Sequence, residues 1–348
     1  MEISQLGEFG LIDRLTTDLS SVQPTTLKSV GDDCAVLGYD GTTRQLVTTD
    51  LLMEGIHFDL IYTPLRQLGY KAVMVNLSDV YAMNGTPRQV TISLAVDNRL
   101  QVEDLDELYA GMRLACEQHQ VDIVGGDTTS SLTGLCISIT CIGDAPEAAI
   151  VKRSGAKPTD LICCSGNLGA AYLGLQLLER EKAIYLQQVK EGRVNDNAPF
   201  QPDFSGREYL LQRILQPEAR RDIVQTLRAA GIVPTAMMDI SDGLSSELLH
   251  ICKQSGVGCR LYEERIPLDY QTAAAAEELN LNVSTCALNG GEDYELLFTV
   301  PLSMHDKVAE LDDVSIIGHM TDADEGAVMV GRGGTEMSLR AQGWNPLN

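Results

Sequence analysis

The first half of the chain alternates between two hydrophobic periods. Residues 64–83 and 102–119 repeat their apolar positions with the period of an α-helix, and Asn84-Gly85 is a stop signal for the first of them. Short apolar runs rich in β-branched residues are typical of strands, and they occupy residues 45–49, 90–96, 121–124 and 135–142. Loosely alternating strands and helices predict an α/β or α+β fold.

Turn-forming residues interrupt this pattern at 143–146 and again at 153–160. We therefore predict a domain boundary near residues 144–152, with an N-terminal domain of residues 1–148 and a C-terminal domain of residues 149–348. A chain of 348 residues has a usual length for two domains.

The second domain begins with a strand-like run at 161–165 that enters a glycine-rich turn, residues 166–171, at the start of a helix. The turn resembles a phosphate-binding loop without the full Gly-x-Gly-x-x-Gly spacing, and tight strand-to-helix packing explains it equally well. A later helical face begins at Leu244, where Ser241 or Asp242 can act as the cap.

A polar segment separates these two helices. Residues 181–208 contain few aliphatic side chains, which predicts an exposed insertion, either a mobile lid or a disordered segment. Strand-like runs return at 295–300 and 314–317.

The composition argues against several classes of partner. The formal net charge is -23 at pH 7, which disfavours nucleic acid and anionic membrane surfaces. No apolar run approaches the roughly 20 residues that span a bilayer, and residues 1–15 lack the apolar segment of a secretory signal. Nine cysteines with irregular spacing and no Cys-x-x-Cys pair are expected to be buried, reduced thiols. We therefore expect a cytoplasmic protein.

Six short acidic motifs with glycine or hydroxyl neighbours are the most informative feature of the chain. They are Gly31-Asp32-Asp33, Thr48-Thr49-Asp50, Asn76-Leu77-Ser78-Asp79, Gly125-Gly126-Asp127-Thr128-Thr129, Met238-Asp239-Ile240-Ser241-Asp242-Gly243 and Gly290-Gly291-Glu292-Asp293-Tyr294-Glu295. Taken alone, each motif is most simply a turn or a helix cap. Several of the acids, however, follow strand-like runs, where functional residues commonly lie. Carboxylates and hydroxyls are hard oxygen ligands, so the set predicts several divalent cations, magnesium or calcium, at one site.

Asp79 differs from the other acids because it lies within a helical segment. It shares a partly apolar face with Ala72, Val75 and Asn76, and an acid on such a face needs a partner that a cation would supply. Cations are also needed if a polyphosphate is to approach this acidic chain. Two like charges about 4 Å apart repel by roughly 4 kcal/mol at an effective dielectric near 20.

Other catalytic signatures are missing from the sequence. It has no Gly-x-x-x-x-Gly-Lys-[Ser/Thr] loop, no His-Arg-Asp with Asp-Phe-Gly and no Gly-x-Ser-x-Gly. The five histidines do not cluster, and four of them are most simply surface or core residues. His57 follows Asp50 closely, so it either reaches a ligand in the same site or has a structural role.

In order and over nearly the whole chain, these motifs resemble those of the thiamine-monophosphate kinases, a family of the AIR-synthase-like superfamily. The motifs that add to the acidic ones are Gly7-Glu8-Phe9 with Leu11-Ile12, Glu54-Gly55-Ile56-His57-Phe58, Lys71 ahead of Asn76, and Arg153-Ser154-Gly155-Ala156. The resemblance implies a two-domain AIR-synthase-like fold. Its N-terminal α/β domain would form a β-barrel shared with the second subunit of a homodimer, and its C-terminal domain would be an α/β sandwich.

The family transfers the γ-phosphoryl group of ATP directly to the phosphate of thiamine monophosphate. The resemblance therefore implies ATP and thiamine monophosphate as substrates and several Mg²⁺ ions as cofactor. The positions that match magnesium ligands are Asp33, Thr48, Thr49, Asp50, Asp79, Asp127, Asp239 and Asp242. Those that match nucleotide contacts are Gly126, Asp127, Arg153 and Ser241. Those that match substrate contacts are His57, Glu292 and Trp344, whose indole could stack on the thiazolium cation.

Two alternatives stay open at this level. One is another ATP-using enzyme of the same superfamily, against which His57, Glu292 and Trp344 speak. The other is a non-catalytic protein that binds divalent cations. Arg153 and the glycine-rich turn speak against it, because both suggest a nucleotide.

Overall fold

The computed structural model describes residues 23–38, 41–195 and 198–342, together with residues 10, 12, 14, 16 and 17. Within these residues the chain forms two β-sheets with helices packed on them. The predicted mixed α/β class is therefore confirmed.

The first sheet has six strands and lies in the N-terminal half. In spatial order the strands are β1 (Thr26–Lys28), β2 (Ala35–Leu37), β3 (Thr43–Met53), β6 (Cys136–Pro146), β4 (Thr86–Val96) and β5 (Asp122–Ser130). Neighbours are antiparallel except β4 and β5, which are parallel and joined by helix α2 (Val102–His119). Helix α1 (Leu65–Ala82) joins β3 to β4 and packs on both. The four strands and two helices predicted here are present, and the strands are longer than predicted.

The first sheet is covered on one face only. On β3, Leu46 and Leu52 are buried, whereas Leu51 on the opposite face is 53% exposed. β5 is the edge strand and is exposed along its whole length, including Ile123 and Val124. The strands within the described residues do not close into a barrel. An open, partly apolar face beside an uncovered edge strand is a surface suited to another protein chain.

The second sheet has seven strands and lies in the C-terminal half. In spatial order they are β13 (Glu336–Ser338), β12 (Ala327–Val330), β9 (Gly258–Tyr262), β11 (Val314–Thr321), β7 (Leu161–Ser165), β10 (Leu296–Val300) and β8 (Ala236–Asp239). The helices of this half are α3 (Ala170–Lys190), α4 (Glu208–Leu215), α5 (Arg221–Ala229), α6 (Leu244–Ser255), α7 (Tyr270–Glu278), α8 (Val283–Asn289) and α9 (His305–Ala309). β7, β8 and β10 are buried throughout, so apolar residues predominate in them and do not alternate with polar ones.

One buried apolar cluster joins the two halves. It includes Leu77 of α1, Met237 of β8 and Phe298 of β10, all fully buried. A polar contact adds to it, because the Arg228 Nε donates to Asn84 Oδ1 at 2.9 Å. Helix α1 packs against β8 as well as against its own sheet, so its side chains reach the space between the halves.

Residues 181–190 continue helix α3, so the prediction of a disordered segment at 181–208 is wrong for these ten residues. Lys182 contacts Glu179 one turn earlier (2.8 Å) and Asp59 in the N-terminal half (3.1 Å). The stretch consists largely of strong helix formers such as Glu, Lys, Gln, Ala and Leu. Its polar composition therefore marks an exposed helical face. The described residues of 191–207 belong to no helix or strand.

All nine cysteines are unpaired thiols, as predicted, and eight of them are buried. Burial raises the pKa of Cys163, which keeps that thiol protonated and poorly reactive. Within the described part of the chain, no helix combines the length and apolar character needed to cross a bilayer.

Candidate active site

A cavity of about 1210 Å³ lies between the two halves, beside helix α1. Its walls come from β3, from α1 and from the loops that follow β8 and α8. The acidic residues that line it are Asp32, Asp33, Asp50, Asp59, Asp79, Glu179, Asp242 and Glu292. The volume exceeds what a single small ligand usually occupies, so it leaves room for two.

Three carboxylates from separate elements converge at the place where Asp33 and Asp79 line this cavity. Asp33 precedes β2, Asp79 lies on α1, and Asp239 is the last residue of β8. One oxygen from each carboxylate lies within 4.8 Å of the other two. The strand-end and helical acids predicted from the motifs are therefore brought together by tertiary packing.

Hydrogen bonds fix the orientation of these acids. The Thr48 hydroxyl donates to Asp79, and the Ser78 hydroxyl donates to Asp239 at 2.5 Å. The Arg153 Nη2 donates to Asp33 Oδ1 at 2.7 Å. The other oxygen of Asp33 is buried and has no hydrogen-bond partner among the described residues. A buried acceptor of this kind is what a metal ion would complete.

The electrostatics of the acids also fit a cation. Burial, with the charge of Asp33 next in importance, raises the pKa of Asp239 to about 7. Burial and then Glu292 raise the pKa of Asp50 to about 6. Burial and the neighbouring carboxylates raise the pKa of Asp79 well above its usual range. A divalent cation would favour the ionised forms, and an all-oxygen donor set suits magnesium or calcium.

A second wall of the cavity carries Glu292, Lys71 and His57. Lys71 lies on α1, is only 3% exposed, and forms an ion pair with the Glu292 carboxylate. His57 Nδ1 accepts a hydrogen bond from the Met53 main-chain N–H at 3.0 Å. Burial lowers the pKa of His57, so its imidazole is neutral at neutral pH.

The turn that carries Glu292 has an unusual backbone. Gly291, Glu292 and Tyr294 have φ values of +70°, +61° and +52°, in the left-handed region. The Glu292 N–H donates to the Ser241 carbonyl at 2.6 Å, and the Tyr294 N–H donates to the Ile240 carbonyl at 2.8 Å. A Cβ on Gly291 would lie 2.5 Å from the Ser241 oxygen, so only glycine fits. Non-glycine residues held in this conformation are common at functional sites.

The other acids of this motif have structural roles. Asp293 accepts a hydrogen bond from the Gly169 N–H at 2.8 Å, and Glu295 pairs with Arg213 at 2.9 Å. Two further N–H groups of the glycine-rich turn, those of Gly166 and Leu168, donate to main-chain carbonyls. The turn does not line the cavity, so the structure favours the packing interpretation over a phosphate-binding loop.

The helix after Asp239 is not capped as predicted. Helix α6 begins after Gly243, whose φ is +116°, and no side chain caps it. The Asp242 N–H donates instead to Glu247 at 2.9 Å. Ser241 and Asp242 both line the cavity.

Comparison with known proteins identifies the family of this chain. Residues 31–145 match the domain family described as AIR synthase related protein, N-terminal domain. The thiamine-monophosphate kinase of Aquifex aeolicus is 37% identical over 301 residues, which are 86% of this chain and 88% of that protein. The thiamine-monophosphate kinase of Bacillus subtilis is 30% identical over 346 residues, which are 98% of this chain and 99% of that protein. The chain belongs to the thiamine-monophosphate kinase family.

A solved structure gives the same result for the fold. The structure described as AaThiL complexed with AMPPCP and TMP matches with a TM-score of 0.81 and 34% identity, covering 99% of this chain and 98% of that one. The fold of this chain is therefore the AIR-synthase-like fold of the family.

Most of the residues that the family resemblance singled out lie around the cavity. Those that line it are Asp33, Thr48, Thr49, Asp50, His57, Asp79, Arg153, Ser241, Asp242 and Glu292. Asp239 lies beside Asp33 and Asp79. Trp344 lies outside the described residues, so its predicted contact with the substrate stays a prediction.

The Thr49 side chain is directed away from the acids. Side chains alternate between faces along a strand, and Thr48 is buried whereas Thr49 is exposed. The Thr49 hydroxyl donates to the Ile139 carbonyl at 3.0 Å and contacts the Thr140 hydroxyl at 3.1 Å. The Thr49 hydroxyl is therefore engaged within the sheet although Thr49 borders the cavity, and its assignment as a metal ligand stays a prediction.

Gly126 and Asp127 lie apart from the other predicted site residues. They are on β5, which is separated from β3 by β4 and β6 and therefore by about 14 Å of sheet. Neither residue lines the cavity. Asp127 Oδ1 accepts the N–H of its neighbour Thr128 at 2.9 Å. Within one described chain, these two residues do not reach the cavity.

Sequence reasoning assigned no role to three residues of α1 that shape the site. They are Lys71, Asn76 and Ser78, whose partners are Glu292, the Asp50 N–H and Asp239. A signal for them existed, because polar residues within an otherwise apolar helix are expected to face a partner or a ligand.

Proposed function

We propose that this chain transfers the γ-phosphoryl group of ATP to thiamine monophosphate, which produces thiamine diphosphate and ADP. The observation that carries the proposal is the convergence of Asp33, Asp79 and Asp239, within 4.8 Å, at the wall of a cavity large enough for two ligands. The relatives named thiamine-monophosphate kinase, and the neighbour complexed with AMPPCP and TMP, support the same pair of substrates here.

The acid cluster is proposed to hold several magnesium ions. The side chains that would hold them are Asp33, Thr48, Asp50, Asp79, Asp239 and Asp242, and a metal contact from Thr49 stays a prediction. Bound magnesium neutralises phosphate oxygens of nucleotide and acceptor, which supplies much of the catalysis in phosphoryl transfer. The buried Asp33 oxygen without a hydrogen-bond partner and the raised pKa values of Asp50 and Asp239 support this assignment.

The remaining residues are proposed to bind and orient the two substrates. Arg153 is assigned to the nucleotide, and its pairing with Asp33 connects that contact to the acid cluster. Ser241 is also assigned to the nucleotide. Its main-chain carbonyl accepts a hydrogen bond from the Glu292 N–H, which connects it to the wall of the cavity that carries Glu292, Lys71 and His57. Glu292 and the neutral His57 are assigned to thiamine monophosphate, with Trp344 stacking on the thiazolium.

Transfer needs no general base in this site. An oxygen of the acceptor phosphate forms a bond to the γ-phosphorus while the bond to the ADP oxygen breaks. Because the attacking phosphate is already an anion, no proton has to leave it. The residues therefore act through position and charge.

Release of ADP should depend on the acceptor. With ATP and Mg²⁺, the purified protein is expected to release ADP and form thiamine diphosphate in equal amounts when thiamine monophosphate is added. Thiamine is the matched control, because it has the same rings without the acceptor phosphate. Equal ADP release with thiamine monophosphate, thiamine and buffer would contradict the proposal. Stimulation by a different acceptor would favour another AIR-synthase-like enzyme.

We also propose that residues 1–148 and 149–348 form two domains and that the chain is a homodimer with a barrel shared between two N-terminal sheets. Gly126 and Asp127 support the dimer, because they match nucleotide and metal positions yet lie outside the cavity of their own chain. The open face of the sheet and the exposed β5 give the second subunit a surface on which to pack.

A charge on β5 should therefore separate the subunits. Val124→Asp places a carboxylate on a side chain that is 56% exposed in one chain, and it is expected to convert a dimer to a monomer because burying an unpaired charge is costly. Leu302→Asp is the matched control, because Leu302 is also 56% exposed but lies outside the sheet. Light scattering after size-exclusion chromatography measures both. A monomeric wild type, or a Val124→Asp variant that stays dimeric, would remove the proposed interface.

A further inference from the structure

The ion pair between Lys71 and Glu292 crosses the cavity between the two halves of the chain. Lys71 lies on α1 and is almost fully buried, whereas the Glu292 side chain is 29% exposed. Within the described residues, Glu292 is the ion-pair partner of Lys71. Buried ion pairs often add little net stability, because desolvation offsets their attraction. Stability alone therefore gives a weak reason for this pair.

The backbone of Glu292 does not need Lys71 to hold its place. It is in the left-handed region, and its N–H is bound to the Ser241 carbonyl. Gly291 fits only as glycine against that same carbonyl. Lys71 is equally fixed, since it lies in the middle of a buried helix. The cavity therefore presents a positive and a negative side chain from two fixed backbone positions.

The proposed acceptor has the complementary charges, and this inference rests on the proposed function. Thiamine monophosphate has a positive thiazolium ring at one point and a negative phosphate at the other. Thiamine has the ring without the phosphate. Opposite charges on two fixed backbone positions of the cavity can therefore match thiamine monophosphate at both ends and thiamine at only one.

We propose that Lys71 and Glu292 exchange partners when thiamine monophosphate binds. The thiazolium ring pairs with the Glu292 carboxylate, and the phosphate pairs with the Lys71 ammonium group. Thiamine can take Glu292 but leaves the buried ammonium group without a full partner, which is unfavourable. Lys71 is thus a specificity-determining residue that selects the phosphorylated form of the substrate.

A double-mutant cycle tests the exchange. Calorimetry gives the Kd of thiamine monophosphate and of thiamine, in a magnesium buffer, for the wild type, Lys71→Met, Glu292→Gln and the double variant. Lys71→Met is expected to weaken binding of thiamine monophosphate about 10- to 100-fold, both in the wild type and in the Glu292→Gln variant. This is the usual loss for a hydrogen bond to a charged group. Binding of thiamine should be unchanged or tighter. Lys71→Arg retains the charge and should retain most of the preference for the phosphate.

Two results of this cycle would contradict the proposed exchange. If Lys71 only anchors Glu292, Lys71→Met weakens both ligands by one factor and has no effect in the Glu292→Gln background. Either finding would overturn the exchange. The double variant lacks both charges of this pair, so it leaves neither partner unpaired. The Kd values of the double variant and of Glu292→Gln can therefore be compared even if Lys71→Met alone does not fold.

The wild type separates this proposal from the proposed function. A wild type that converts thiamine monophosphate to thiamine diphosphate, with a Kd pattern unaffected by Lys71→Met, would refute the exchange and leave the function intact. A wild type that neither binds nor phosphorylates thiamine monophosphate would refute both.

Discussion

Asp79→Asn is expected to lower the rate of phosphoryl transfer by about 1000-fold, because bound metal supplies several kcal/mol of transition-state stabilisation and an amide cannot hold it with a full negative charge. Asp79 is central to the cluster, with Asp33 and Asp239 beside it and the Thr48 hydroxyl oriented toward it. The amide oxygen of asparagine can accept that same hydrogen bond, so the helix and its packing should be unchanged. Asp239→Asn is expected to have an effect of the same size.

Steady-state rates at limiting and saturating Mg²⁺ measure this effect, and melting temperature reports whether the variants fold. Asp106→Asn is the matched control, because it makes the same chemical change at an exposed position of α2. Near-normal turnover of Asp79→Asn or Asp239→Asn at limiting Mg²⁺ would show that the acid cluster is not the metal site.

Magnesium should stabilise the fold more at high pH than at low pH. Without metal, burial raises the pKa of Asp239 to about 7 and that of Asp50 to about 6, from an ordinary value of 3.8. Between about pH 4 and pH 7 the folded state then binds more protons than the unfolded state, so the free energy of unfolding falls as the pH rises through this range. Magnesium takes the place of those protons. Its stabilising effect should therefore be small at pH 5 and largest near pH 8.

Thermal unfolding with Mg²⁺ or with a chelator, at pH 5 and pH 8 and constant ionic strength, measures this linkage. The shift for Asp239 corresponds to roughly 4 kcal/mol at 1.36 kcal/mol per pKa unit, so the magnesium-dependent rise in melting temperature should be larger at pH 8 by roughly 5 °C or more. Asp239→Asn should remove much of the difference, because it has no proton to lose. A magnesium effect that is equal at both pH values would contradict a crowded acid cluster.

Local patterns were sufficient for the secondary structure around the site. Helix α2 has the predicted bounds because its periodic apolar residues lie between a reciprocal capping box at Gln101 and Asp104 and a left-handed residue at Gln120. The errors also have local causes. The sequence pattern predicts that strand β3 ends at Thr49, with Asp50 directly after it, and it does not predict on which face of the strand each side chain lies. The strand continues to Met53, and strand alternation places those two side chains on opposite faces.

The contacts across the cavity could not be predicted from local patterns. Lys71 and Glu292 are far apart in sequence, and their pairing depends on how α1 packs against the C-terminal half. The separate roles of Glu292 and Asp293 depend on the turn, because only the backbone conformation decides which acid faces the cavity. The distance of Asp127 from the other acids likewise follows from strand order, which a motif does not contain.

Helix α1 limits how this protein can change over evolutionary time. One face of the helix contributes Val73 and Leu77 to the shared core, and another directs Lys71 and Asp79 into the cavity. A substitution that shifts the helix by a fraction of an ångström to repack the core also moves a proposed metal ligand and a proposed substrate contact. Foldability and catalysis are therefore selected together along this helix. Substitutions should be tolerated more readily at exposed positions, such as those on the solvent-facing side of α2.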